Sequence, residues 1–352
     1  MDSRDWKALV HVRFFRHLAE ACPEEFLAIH DFAWAPYALG DAATWLMKCW
    51  TRAIDHGISR MRCILVQDPQ TPSNRNQAHI CPDNCRTYLQ NLYPVFLSCP
   101  LFQSVHLFRS RPAVSLLLAV ARSCGVPMWP KPGHSFRRKP PFPLPHHDLN
   151  DFHARHGMMP RLQPPRTYEG SIDGFLQSRA RDRFLVAVNI RQRQLTDARG
   201  SDYRDSPLQP WYRFFAIVAE KYPSVLFVTL GGFQEFEKGL LKYDNVIVLR
   251  TLGYGLGEEL TLLHQSDLFM GTSSGFSAVA TFSSVPYIIT HIEHRVAPFF
   301  ELEVGDPAYP FALPHQTLSW EVESPELLLH LFEESYAALR ARKESERIPH
   351  TV

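Results

Sequence analysis

The chain has no run of about 18 or more consecutive apolar residues, so no segment of its sequence reads as a membrane-spanning helix. Its first residues, Met1-Asp2-Ser3-Arg4-Asp5-Trp6-Lys7, lack the charged-then-apolar pattern of a secretory leader, and the expectation is a cytoplasmic protein. A large net charge is also missing. At +1, no whole-molecule field draws the chain to nucleic acid, and none is expected as a partner. Cysteine is absent from the C-terminal half. The seven present (22, 49, 63, 81, 85, 99 and 124) are odd in number and scattered, a pattern unlike a disulfide framework. Cys81 and Cys85 have no second pair at metal-ligand spacing, so free thiols are expected rather than zinc. The Walker loop and the dinucleotide G-x-G-x-x-G are missing as well.

What remains is 352 residues, 45% hydrophobic and 12% aromatic, enough for two domains of ordinary size. Strand and helix signals alternate in both halves. Glu25 to His30 and Cys63 to Val66 read as buried strands; between them Ala42 to Ile54 puts Trp45, Leu46, Cys49, Trp50, Ala53 and Ile54 on one helical face. Leu101 to Phe108 and a helix from Ala113 to Ser123 continue the series. From Pro127 to Pro145 seven prolines rule out regular helix or central strand, and the segment reads as the start of an interdomain crossing. Its Arg137, Arg138 and Lys139 belong either to a solvated linker or to a peripheral contact with an anionic surface such as the inner membrane. Beyond it come Phe184 to Ile190, a helix from Trp211 to Tyr222, Val225 to Leu230, Val246 to Leu249, a helix from Glu258 to Gln265, and a last helix from Pro325 to about Arg347 with Ser324 as its cap. Alternation of this kind implies parallel sheets. The expected fold is therefore α/β with two Rossmann-like domains, 1–165 and 166–352, facing across a cleft.

Open α/β sheets take ligands beyond the C-terminal ends of their strands, and several residues there suit an anion. Asp267 to Thr290 reads as a strand (Leu268 to Met270), a small-residue turn (Gly271 to Gly275), a helix (Phe276 to Phe282) and another strand (Tyr287 to Thr290). Thr272, Ser273, Ser274 and Gly275 open that helix with hydroxyls and backbone amides, which suits phosphate but also describes an ordinary cap. At the end of the run Phe184 to Ile190 stand Asn189, Arg191 and Arg193; arginine binds a diphosphate through paired charge-assisted hydrogen bonds. Gly231 and Gly232 allow close backbone approach. In His291-Ile292-Glu293-His294, either Glu293 accepts ribose hydroxyls or His294 contacts phosphate, and the plain alternative is a solvated loop. In the first half, Gly40 permits a tight turn and Asp41 either caps the helix or acts as a general base. Asp31 and His30 are weaker base candidates. The histidines at 146, 147, 153 and 156 have no helix to fix ligand spacing, and no metal site is expected there.

Taken together these residues resemble two-Rossmann-domain (GT-B) glycosyltransferases. Leu39-Gly40-Asp41 and the Asp267–Thr290 stretch are similar to the heptosyltransferase family, with its Gly-Asp turn and its D-T-G-x-x-H block. A closer similarity is to bacterial capsule and surface-polysaccharide glycosyltransferases. It is carried by Asn189-Ile190-Arg191-Gln192-Arg193, Ser201-Asp202-Tyr203-Arg204-Asp205-Ser206, Gly231-Gly232, and Phe269-Met270-Gly271-Thr272-Ser273-Ser274-Gly275 with Val285-Pro286. The first of these is also similar to the basic donor-diphosphate motif of fucosyltransferases. The resemblance spans about residues 181 to 292, and reaches the first half only at Gly40-Asp41.

The resemblance implies transfer of a sugar from a nucleotide-activated donor to a glycan or other hydroxyl acceptor, in surface polysaccharide or glycoconjugate synthesis. It makes Asp41 the base that deprotonates the acceptor, and gives Arg191 or Arg193 with Thr272, Ser273, Ser274 and Gly275 the donor diphosphate; Asn189, Gly231, Gly232 and Glu293 would line the donor. With those groups stabilising the leaving diphosphate, neither a metal nor a cofactor is expected. Two departures count against a heptose donor: Ser273-Ser274 replaces the Asp-Thr pair, and Ser277 stands where the histidine is expected. The alternatives are a sugar-nucleotide epimerase on the same fold and a non-catalytic nucleotide- or glycan-binding subunit.

Overall fold

A computed structural model describes residues 24–74, 77–130, 145–192, 205–231 and 238–347, and the chain divides into two compact units between Leu162 and Gln163. The first unit runs β1 (Glu25–Asp31), α1 (Leu39–Asp55), β2 (Arg60–Val66), α2 (Cys85–Phe96), β3 (Phe102–Phe108), α3 (Arg111–Ser123), β4 (Met128–Trp129) and α4 (His147–His156). Its four strands are parallel in the order β3-β2-β1-β4. Every residue of β1 is buried because both of its faces are covered. Leu27 and Ile29 pack with Val114, Leu117 and Leu118 of α3 on one face. His30, one residue out of phase, meets Trp45 of α1 and Phe96 of α2 on the other.

Two sequence expectations in this unit are corrected. Pro127 to Pro145 is not all crossing segment, because Met128–Trp129 is the edge strand β4, paired with Leu27 and Ala28 of β1. A flanking proline is tolerated there: Pro127 supplies only a carbonyl, which accepts from Leu27 N–H at 3.0 Å. The histidine segment is likewise helical. As α4 it is tied to α1 by Lys48 and Arg52 on Asp148, and by Arg155 and His156 on Asp55. Among the described residues no His, Cys, Asp and Glu group is arranged to hold a metal ion. Residues 137–139 lie outside the described residues, and no described helix is long and apolar enough to cross a membrane.

The second unit contains α5 (Glu169–Phe175), β5 (Phe184–Asn189), α6 (Leu208–Lys221), β6 (Val225–Thr229), β7 (Val246–Val248), α7 (Leu256–Gln265), β8 (Leu268–Thr272), α8 (Gly275–Thr281), β9 (Tyr287–Thr290), α9 (Ala297–Phe300), β10 (Gln316–Leu318) and α10 (Pro325–Arg347). All six strands are parallel, in the order β10-β9-β8-β5-β6-β7. Counted within the unit this is 6-5-4-1-2-3, the order of doubly wound nucleotide-binding sheets. Trp211, Phe214 and Phe215 of α6 and Leu328 and Phe332 of α10 cover one face, against Val186, Val188 and Phe227. The long last helix starts as its sequence predicts, with Ser324 Oγ accepting from Leu327 N–H at 3.1 Å. Both units are thus Rossmann-like and α/β.

Candidate functional site

In a 3-2-1-4-5-6 sheet the chain leaves in opposite directions from the first and fourth strands, which opens a crevice at their C-terminal ends. Here those strands are β5 and β8, paired through Asn189 and Gly271. They approach so closely that a Cβ on Gly271 would lie 2.6 Å from the Asn189 carbonyl oxygen, so only glycine fits. Gly271 and Thr272 are consequently the last residues of β8 and not part of the turn, and α8 begins at Gly275.

Asn189 joins the three strand ends. It is buried, its amide NH2 donates to Leu230 O at 2.8 Å beyond β6, and its Oδ1 accepts from Ser274 Oγ at 2.6 Å. Ser274 is the N-cap of α8, accepting from Ser277 N–H at 3.4 Å. Ser277, standing where the resemblance expects histidine, donates its hydroxyl to Thr272 O at 2.5 Å and so braces the loop from beneath. Thr272 is fully buried and donates to Glu323 Oε1 at 3.1 Å. The crest therefore presents Ser273, Ser274 and Gly275, all half-exposed, rather than the Thr272 side chain. Gly275 and Phe276 stand in the first helical turn, where amides have no intrahelical acceptor.

Arg191 follows β5 and is largely buried, with Nε 3.5 Å from Asp205 Oδ1. The segment after it is pinned back on this strand end: Ser206 N–H donates to Arg191 O at 2.9 Å, Gln192 to Ser206 O at 2.6 Å, and Trp211 Nε1 to Ser206 Oγ at 2.8 Å. Asn189-Ile190-Arg191 and Asp205-Ser206, separate in sequence, thus lie side by side. Arg193 and Gly232 lie outside the described residues. Gly231 lies two residues beyond β6 with φ +150°, and its N–H donates to Glu259 at 3.0 Å. Glu259 is fully buried and chelated by Arg250 Nε and Nη2 at 2.8 and 2.7 Å; burial pushes its carboxyl upward against the opposing pull of Arg250. Glu293, after β9, is half-buried and 3.5 Å from Arg295.

The first unit corrects several expectations. Gly40 and Asp41 form no turn before a helix. The N-cap of α1 is Ala38, in extended conformation, and Asp41 is the third helical residue, in the first turn where the helix dipole favours an acid. Asp41 is half-buried. Asp31 is buried and takes both Nε and Nη2 of Arg111 at 2.8 Å, which commits its carboxylate to an ion pair rather than to proton abstraction. His30 is enclosed by aromatic rings and no acceptor hydroxyl reaches it. Glu323, Glu259 with Arg250, and the pairing of Arg111 with Asp31 escaped sequence reasoning: none carries a local motif, and the partners of Glu323 and Asp31 lie 33 to 80 residues away.

Among solved structures the chain is similar to a glycosyl transferase family 9 protein from Veillonella parvula, at 12% identity and TM-score 0.49, covering 90% of this chain and 97% of that one. It is also similar to E. coli heptosyltransferase WaaC with ADP-2-deoxy-2-fluoro heptose, at 11% identity and TM-score 0.41, covering 88% and 99%. The iron-containing dodecameric glycosyltransferase TibC of E. coli follows at 14% identity and TM-score 0.35, covering 91% and 77%. At this level of identity and superposition the likenesses assign no activity to the chain. No family model and no curated protein matches it.

Proposed function

We propose that the protein is a GT-B-type glycosyltransferase that moves a sugar from a nucleotide-activated donor to the hydroxyl of a glycan or related acceptor. One observation carries the reading. Asn189, Arg191, Asp205 and Ser274, which come from separate sequence elements that resemble bacterial surface-polysaccharide glycosyltransferases, meet at the topological switch point of the second unit: Asn189 Oδ1 accepts from Ser274 Oγ at 2.6 Å and Arg191 lies beside Asp205. Surface polysaccharide or glycoconjugate synthesis is the setting that the resemblance favours.

In this reading the donor diphosphate rests on the Ser273–Gly275 crest and on Arg191 or Arg193. Asn189, Gly231 and Gly232 shape the floor, and Glu293 accepts from the ribose. Asp41 takes the proton of the acceptor hydroxyl as its oxygen bonds to the anomeric carbon. The bond from that carbon to the diphosphate breaks, and the electron pair leaves on the nucleoside diphosphate. Charge developing there is stabilised by the guanidinium and by fixed amide dipoles, so the residues present provide for departure without a metal.

The test is a panel of nucleotide sugars incubated with the protein, with and without glycan acceptors, following release of nucleoside diphosphate. We expect acceptor-dependent release with one donor, and loss of about 100-fold or more in turnover for Asp41→Asn with donor affinity kept. A new sugar formed from donor alone would make the protein an epimerase. Binding without turnover would make it a non-catalytic subunit, and unchanged turnover in the variant would remove Asp41 from the mechanism.

A further inference from the structure

The crest of the second unit holds one more pair of residues whose arrangement calls for an explanation. Thr272 and Thr290 are in register across β8 and β9, and Ser273 N–H donates to Thr290 O at 3.1 Å. His291 is therefore the first residue beyond the ladder, level with Ser273 on the neighbouring strand. It sits in left-handed conformation at φ +52°, which disfavours a residue with a side chain, and its N–H donates to Glu321 O at 3.0 Å. Beneath it lies Glu323, whose side chain is fully buried. One carboxylate oxygen, Oε1, accepts from Thr272 at 3.1 Å and from Thr290 at 2.8 Å. The other, Oε2, has no hydrogen-bond partner among the described residues and lies 3.6 Å from His291 Nδ1.

Tying two threonines together does not require a carboxylate. A glutamine would accept the same hydroxyl bonds, without the cost of burying a charge that lacks a hydrogen-bonded cation. What a carboxylate adds is Oε2, and Oε2 faces the imidazole. At 3.6 Å the contact is too long for a hydrogen bond, yet a movement of under about 1 Å would make one, as ligand-site bonds do when the ligand arrives.

Resting on the nucleotide reading above, we propose that His291 is a ligand-contacting residue of this site, positioned by Glu323, and that it binds a phosphate of the nucleotide diphosphate. In the liganded state the imidazolium donates Nδ1–H to Glu323 Oε2 and Nε2–H to a phosphate oxygen. The strained backbone and the buried carboxylate both serve to fix that ring before the ligand arrives. Glu323 touches no ligand, and its effect passes through His291.

Calorimetric titration of the full chain with ADP, UDP and GDP, and with adenosine, uridine and guanosine, tests this. Two variants are compared with the wild type: His291→Asn, since asparagine tolerates left-handed backbone, and Glu323→Gln, which keeps an acceptor for both threonines. For the nucleoside diphosphate that binds, each variant should weaken affinity about 10- to 100-fold, the worth of one charge-assisted hydrogen bond. Affinity for the matching nucleoside should stay unchanged. The double variant should be no weaker than His291→Asn alone, because Glu323 acts through the histidine. A wild type that binds none of these compounds overturns the nucleotide reading and the dyad with it. Binding by the wild type with equal affinity in His291→Asn, or equal losses for nucleoside and diphosphate, overturns the dyad alone. Should a variant fail to fold, imidazole nitrogen resonances of the wild type titrated with the nucleoside diphosphate decide: one histidine must respond at Nε2, and no response overturns the dyad.

Discussion

His30 lies in a box of Phe32, Trp45 and Phe96, with ring centroids at 4.8, 4.9 and 5.1 Å, and neither of its nitrogens has a hydrogen-bond partner among the described residues. Burial pushes its pKa down to about 3, and burial likewise holds His146 at about 3 and His264 at about 4, all from an ordinary 6.5. Each is neutral in the fold and takes a proton in the unfolded chain as pH falls below about 6.5. Their contribution is intact above that value and is lost as pH falls toward 4, at about 1.4 kcal/mol per pH unit for each group. Urea unfolding between pH 7.5 and 5 should show stability falling with pH. His30→Leu should flatten the fall for the unit that contains it; a variant that parallels the wild type would show that His30 does not titrate on unfolding. The same burial removes His30 from catalysis. Its place at the end of β1 made it a base candidate, and the ring's alternation onto the face of Trp45 and Phe96 decided otherwise. Asn189 and Ser274 were legible because their positions after apolar strands follow from the strand pattern. The carboxylate of Glu323 was not, because its partners Thr272 and Thr290 are 51 and 33 residues away.

At the scale of elements, α7 is joined to the end of β6 by Glu259, which holds Gly231 N–H and both donor nitrogens of Arg250. Removing the arginine leaves a fully buried carboxylate with one amide. Arg250→Leu should therefore cost about 3–5 kcal/mol in urea unfolding, and the double change with Glu259→Leu should cost less than Arg250→Leu alone. A double variant worse than the single would mean that Glu259 holds the strand end by itself. Elements with long apolar or amphipathic runs were legible from the sequence: β1, β5, β6, β8, α1, α6 and α10. Two strands were not. Met128–Trp129 and Gln316–Leu318 have two and three residues, too few for any periodic signal, and they exist because a neighbouring strand offers its edge. The start of α1 misled for a different reason. Asp41 looks like a cap, but the extended Ala38 takes that position and the helix begins at Leu39.

For the whole molecule, the order of strands carries more functional information than any single residue. The second unit completes six parallel strands with one reversal between β5 and β8. The reversal brings Asn189, Arg191 and Asp205 together with Ser274, from segments that the sequence keeps about 70 or more residues apart. Hydrogen exchange of the intact protein, with and without a saturating nucleoside diphosphate, tests the claim that a nucleotide binds there. The account predicts added protection in peptides covering Asn189–Gln192 and Ser273–Ser277, with the amides on the far ends of the same strands unchanged. Protection confined to other segments, or none with ADP, UDP or GDP at saturation, would contradict it.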